Sequence, residues 1–100
     1  MSSSLEELEK EAGESIIFDM DFSNQFTSAE TIDSIDNVSF TNEEVITGSS
    51  DITIGTPTFS GNIVQVRISG GTKYEQYTVH ITVITSLANV IIGNGLLRIV

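Results

Sequence analysis

The chain has 100 residues, no cysteine and a formal net charge of −10, with thirteen acids against Lys10 in residues 1–51 and Glu75 against Arg67, Lys73 and Arg98 in residues 52–100. That length suits one domain whose core needs no staple, and the missing thiols exclude disulfides, cysteine nucleophiles and cysteine-type zinc sites. Four scattered cations exclude phosphate-backbone recognition, so nucleic acid is not an expected partner.

Residues 1–14 read as an acidic N-terminal arm. Ser4 with Glu7 forms a capping-box pattern, Leu5 and Leu8 stand one helical turn apart, and Gly13 can stop the turn. The spacing predicts a short helix over Leu5–Ala12, marginal alone and ordered only against a partner. The start lacks the basic flank and apolar stretch of an export signal, so none is expected.

From Ser15 the period becomes two. Ile16, Phe18, Met20 and Phe22 form one apolar face and alternate with Ile17, Asp19 and Asp21, which predicts a half-buried strand. Ser23-Asn24-Gln25 breaks it. Ile32, Ile35, Val38 and Phe40 are spaced irregularly, which fits strands near Thr31–Ser34 and Asn37–Thr41 or a helical turn. A short strand at Glu44–Thr47 and a turn at Gly48-Ser49-Ser50 follow. Asp51–Gly55 reads as a strand, and Pro57 confines the next piece to an edge or a bend.

Ile63–Ser69 alternates Val64, Val66 and Ile68 with Gln65 and Arg67, and Gly70-Gly71 makes the turn. Tyr74–Thr85 is the longest alternating run, with Tyr77, Val79, Ile81 and Val83 facing one way. Val90–Val100 closes the chain, with a bulge expected at Gly93-Asn94-Gly95. Turn signals about every ten residues predict an all-β sandwich of about seven strands over residues 15–100. Apolar runs such as Val90–Ile92 are too short to span a bilayer, so no membrane is expected as a partner.

Candidate chemistry is sparse. His80 is the one histidine. A general base needs a positioned partner and a zinc site needs several ligands, so a solvent-facing or cross-strand role is expected. Asp19, Asp21, Asp33, Asp36 and Asp51 could gather around calcium, but the EF-hand spacing is absent and a solvated acidic face is the default. No Gly-x-Ser-x-Gly elbow is present. No enzyme activity, cofactor or metal is expected. Most aromatic residues read as core. Phe26 and Phe59 lie in loop-like sequence and, with Leu5 and Leu8, are the expected partner-binding residues.

Two resemblances sharpen the reading. Tyr77, two residues before the core position Val79, looks like the tyrosine corner of immunoglobulin-like sandwiches, which implies an immunoglobulin-like antiparallel β-sandwich. Asp19-Met20-Asp21-Phe22-Ser23, the Ser69-Gly70-Gly71-Thr72 turn before Tyr77-Thr78-Val79, and the closing Leu97-Arg98-Ile99-Val100 are together similar to small virion proteins of tailed bacteriophages, of the fiber–tail adaptor type. The similarity covers about residues 15–100 and departs from the family pattern at Phe22, where tryptophan is usual. It implies a structural virion component that docks portal, tail or fiber subunits, in several copies around a ring and without catalysis. The alternatives are a capsid cement protein, or a free-standing adhesin-like or carbohydrate-recognition module.

Overall fold

The computed structural model describes residues 5–26, 30–42 and 52–100. Eight strands lie there: β1 (Leu5–Lys10), β2 (Ser15–Asp21), β3 (Ile32–Asn42), β4 (Ile52–Ile54), β5 (Thr58–Ser60), β6 (Ile63–Gly70), β7 (Gln76–Thr85) and β8 (Val90–Ile99), with a single 3₁₀ turn at Ser23–Gln25. One sheet has the order β1-β8-β7-β3. The other has the order β2-β6-β4, with β5 also pairing with β6. The all-β sandwich expected from the alternation is present: the described residues of 15–100 hold the seven strands β2–β8, and β1 lies ahead of them.

Period two decides which side chains meet. Tyr77, Val79, Ile81 and Val83 of β7 and Leu97 and Ile99 of β8 line the inner face of the first sheet. Phe18 and Met20 of β2 and Val64, Val66 and Ile68 of β6 line the inner face of the second. All are at most 1% exposed, and they form one cluster with Phe22, Ile32 and Ile52. Burying each such side chain contributes about 1.5–3 kcal/mol, so this cluster is the main source of stability.

β8 does not bulge. Its register with β7 runs unbroken from Gln76↔Arg98 to Ile84↔Val90. Gly93 and Gly95 have another cause. Both face inward, toward the bulky row on β2. A Cβ on Gly93 would stand 2.5 Å from Met20 Sδ and 2.8 Å from the Phe22 ring, and one on Gly95 would collide with the Phe18 ring. The large side chains of β2 fill the volume that side chains on β8 would otherwise take.

β3 is one strand, where two shorter ones or a helical turn fitted the sequence. Its pairing with β7 shifts between Ile32 and Ser34 and again between Ile35 and Asn37. Asp33 and Asp36 are therefore the extra residues of two bulges. Each bulge resets the alternation, so Ile32, Ile35, Val38 and Phe40 all reach the core despite their uneven spacing. The strand expected at Glu44–Thr47 and the turn at Gly48-Ser49-Ser50 lie outside the described residues.

Leu5–Lys10 is a strand, which corrects the helical reading of this segment. It pairs in parallel with β8, from Leu5↔Asn94 to Lys10↔Ile99. A helix this short has little stability of its own, whereas the edge of β8 offers a ladder of unpaired backbone groups. Leu8 packs against the core and Lys10 is buried. The Lys10 ammonium donates to the carbonyls of Glu11 (2.8 Å) and Glu14 (2.9 Å), in the turn that carries the chain to the second sheet. Burial holds its pKa below the ordinary lysine value, and the Glu14 carboxylate opposes that shift. From Leu5 onward, the segment expected as a helical arm is an edge strand.

Candidate functional site

The β6–β7 connection begins with Gly70 and Gly71 at φ +80° and +91°, a region that side chains disfavour. The turn that follows is built on Glu75, which is fully buried. Glu75 Oε1 accepts the Thr72 N–H at 2.8 Å and the Tyr77 hydroxyl at 2.7 Å, and Oε2 accepts the Asn42 amide at 3.2 Å. Tyr77 thus reaches back two residues to a carboxylate that itself holds the turn.

This frame fixes Tyr74. Its N–H donates to the Ile99 carbonyl at 2.7 Å, and the Ile99 N–H donates to the Glu75 carbonyl at 2.9 Å. Tyr74 has φ +77°, a left-handed conformation that costs a non-glycine residue about 1–2 kcal/mol. The sequence placed it at a strand start and among the core aromatics. Instead it is 69% exposed, and Lys73 Nζ lies 5.1 Å from its ring centroid. Lys73, Tyr74, Gln76, Arg98 and Val100 line an open groove of about 320 Å³. Arg98 also meets Glu7 of β1 at 3.4 Å. No residue type in Gly71-Thr72-Lys73-Tyr74 signals this, because tyrosine rarely adopts φ > 0.

A second groove, of about 500 Å³, lies between β3 and β5 and is lined by Asp33, Ser34, Ile35, Pro57 and Phe59, among others. Pro57 precedes β5, which pairs with β6 at the margin of its sheet as expected of an edge. Phe59 stands opposite Val64 and is 40% exposed. A third surface is the apolar β7–β8 end, where Leu87, Val90 and Ile92 are each more than half exposed. The sequence reading missed it, because a run such as Val90–Ile92 also suits a buried strand.

The four residues expected to bind a partner are dispersed. Leu5 stands opposite Asn94 at the outer edge of the first sheet. Leu8 is half-buried against the core. Phe26 is also half-buried, its ring stacked on Phe22 at 5.9 Å. Phe59 sits on the other sheet. His80 lies on the outer face of the first sheet and bridges strands, with Nδ1 2.7 Å from Asn94 Oδ1 and Nε2 3.0 Å from Thr41 Oγ1.

Asp19 and Asp21 lie on the outward positions of β2. The Asp21 carboxylate accepts the Ser23 N–H at 2.9 Å, which holds its pKa below the ordinary carboxyl value. Asp33 and Asp36 are the bulge residues of β3, and Asp51 lies outside the described residues. Among the described residues, no three acidic or imidazole side chains gather as a metal site would need, and no helix is long and apolar enough to cross a membrane.

Two comparisons with known proteins complete the description. The family described as "Podophage GP4 fiber-tail adaptor protein gp77" matches residues 10–92 of the chain. No curated protein matches it.

Proposed function

Because the chain belongs to the podophage GP4 fiber-tail adaptor family, we propose that it joins a tail or portal subunit to a fiber subunit by docking alone, without catalysis. As a member of that family it is a virion component with a structural adaptor role. The family match over residues 10–92 is the observation that carries the reading, and it favours an adaptor over a cement protein or a free-standing recognition module.

The fold suits the task. A sandwich whose core side chains are almost wholly buried is a rigid body. Its exposed apolar groups, Phe59 on one sheet and Leu87, Val90 and Ile92 at the β7–β8 end, supply separate contact areas. Of the residues expected to bind, Phe59 takes the direct contact, while Leu5, Leu8 and Phe26 contribute along the β1 edge and the Phe22 corner. Several copies around a ring would turn individually weak contacts into lasting attachment. We read the β8-β7-β3 sheet facing β2-β6-β4 as immunoglobulin-like, since it matches the GFC and BED strand orders of that fold.

The test is reconstitution. Particles grown without this chain should lack fibers, and adding the purified protein and then fibers should restore them, counted by gel densitometry and electron microscopy. Fibers attached in equal number without the chain would refute the adaptor reading.

A further inference from the structure

We propose that β1 is an exchangeable strand: Leu5–Lys10 of one copy leaves its own β8 and pairs with β8 of a second copy of the chain. Two chains then hold each other by the contacts that one chain makes alone. Such linkage would suit an adaptor present in several copies, but it is a property of the chain itself and stands apart from fiber attachment. Three observations carry it.

The first is a conflict between sequence and structure. Leu-Glu-Glu-Leu-Glu-Lys consists of strong helix formers, with no β-branched or aromatic residue, yet it is a strand. β2, β6, β7 and β8 each carry at least two isoleucines or valines. A local preference that opposes the final state weakens an element's hold on its place, and such conflicts collect at functional sites.

The second is position. β1 is the edge strand of its sheet and pairs with β8 alone. Leu8 is half-buried, Glu7 and Glu9 are exposed, and the Arg98–Glu7 pair at 3.4 Å is water-screened. Lys10 is the one buried side chain described in this strand, and its burial disfavours its own charge. An edge strand so lightly anchored opens before the rest of the sandwich.

The third is fit. The structure shows what covers the β8 edge from Asn94 to Ile99: it is Leu5–Lys10 in unbroken register, and the strand of a second copy is identical. The groups that receive Lys10 divide at the turn. The Glu11 carbonyl, at 2.8 Å, moves with β1, whereas the Glu14 carbonyl, at 2.9 Å, adjoins β2 and stays with the body. An incoming Lys10 therefore meets the Glu14 carbonyl of the chain it enters. The turn between is closed by the Glu14 N–H on the Glu11 carbonyl at 3.0 Å and by the exposed bond of the Glu11 N–H to the Glu14 carboxylate at 2.7 Å. Nothing lies within 4 Å of a Cβ on Gly13, so Glu11–Glu14 can open as a hinge. Both forms keep the same strand contacts, so the hinge and the concentration of chains set the balance.

The experiment exploits the lack of cysteine. Glu9 and Arg98 are exposed and stand opposite each other in the β1–β8 pair, at a strand spacing of about 4.8 Å that a disulfide can bridge. Glu9→Cys and Arg98→Cys proteins are mixed at about 1 mM, where pairing between chains competes with pairing within one. They are warmed to just below Tm, cooled and oxidised with glutathione. The mixed disulfide dimer should exceed the two like dimers together by about tenfold or more, because exchange alone sets the two thiols at bonding distance. Mixed dimer no more abundant than the like dimers together is the result of chance collision and would overturn the exchange. The Glu9→Cys/Arg98→Cys double variant, oxidised while dilute, ties β1 to its own β8. After the same treatment it should stay monomeric in sedimentation velocity, while its reduced form and the wild type show a dimer fraction that grows with concentration. Equal association of the tied and reduced forms would place the contact on another surface and refute the proposal. So would a wild type that stays monomeric throughout.

Discussion

Replacing Gly95 with alanine adds one methyl group at the most crowded point of the sandwich. The new Cβ would overlap the Phe18 ring and come 3.1 Å from Met20 Cε. Phe18 and Met20 are each 1% exposed, so neither can swing into solvent. Overpacking of this kind costs about 1–3 kcal/mol. The lower backbone entropy of alanine in the unfolded chain returns about 0.4–1 kcal/mol. Direct overlap with the Phe18 ring places the cost in the upper half of that range, so the net loss is about 1–2.5 kcal/mol, a drop in Tm of about 4–20 °C for a domain of this size. Thermal unfolding followed by circular dichroism measures it. Gly13→Ala is the control: nothing lies within 4 Å of its added Cβ, and its Tm should hold or rise. Pairing Gly95→Ala with Phe18→Leu should restore part of the loss, because the smaller side chain vacates the contested volume. A Gly95→Ala protein as stable as wild type, or a double variant whose losses simply add, would refute the steric reasoning.

Three further outcomes follow from the same frame. Tyr77→Phe removes one donor from the buried Glu75 carboxylate and should cost about 1–3 kcal/mol in denaturant unfolding. Deleting residues 1–10 strips β1 from β8 and removes Leu8 and the Lys10 bonds, so it should destabilise the isolated domain by at least about 2 kcal/mol, read as a lower midpoint in urea. Asp21→Asn should be less stable than wild type at neutral pH. The folded pKa of Asp21 lies below its ordinary 3.8. Its contribution is therefore complete above that value and lost as pH falls through the folded pKa, so the two midpoints should converge in acid once pH lies below that lowered pKa.

The strands that alternate cleanly were legible in the sequence. In β2, β6 and β7 the apolar positions that define the pattern are the same ones that become buried, so periodicity and burial carry the same information. β3 was harder because Asp33 and Asp36 each insert a residue, and two phase resets make period two resemble period 3.6. β1 was misread because Leu5 and Leu8 suit a helix locally, and only the distant edge of β8 decides otherwise. Gly93 and Gly95 suggested a bulge because their cause lies across the sandwich, in Phe18, Met20 and Phe22. Of the candidate docking residues, Phe59 was found from its loop-like setting. Tyr74 was not, since its exposure follows from a backbone angle fixed by Ile99 and Glu75, far away and buried respectively.

The parallel pairing of β1 with β8 bears on how the molecule would carry tension. Leu5 lies beside Asn94 and Lys10 beside Ile99, so the chain enters this pair at one end and leaves it at the other. A pull applied between Leu5 and Ile99 would slide these strands along each other and strain every rung of the ladder together. Peeling would break the rungs one at a time and needs far less force. Load along the two strands therefore meets more resistance than load across them, without any additional contact.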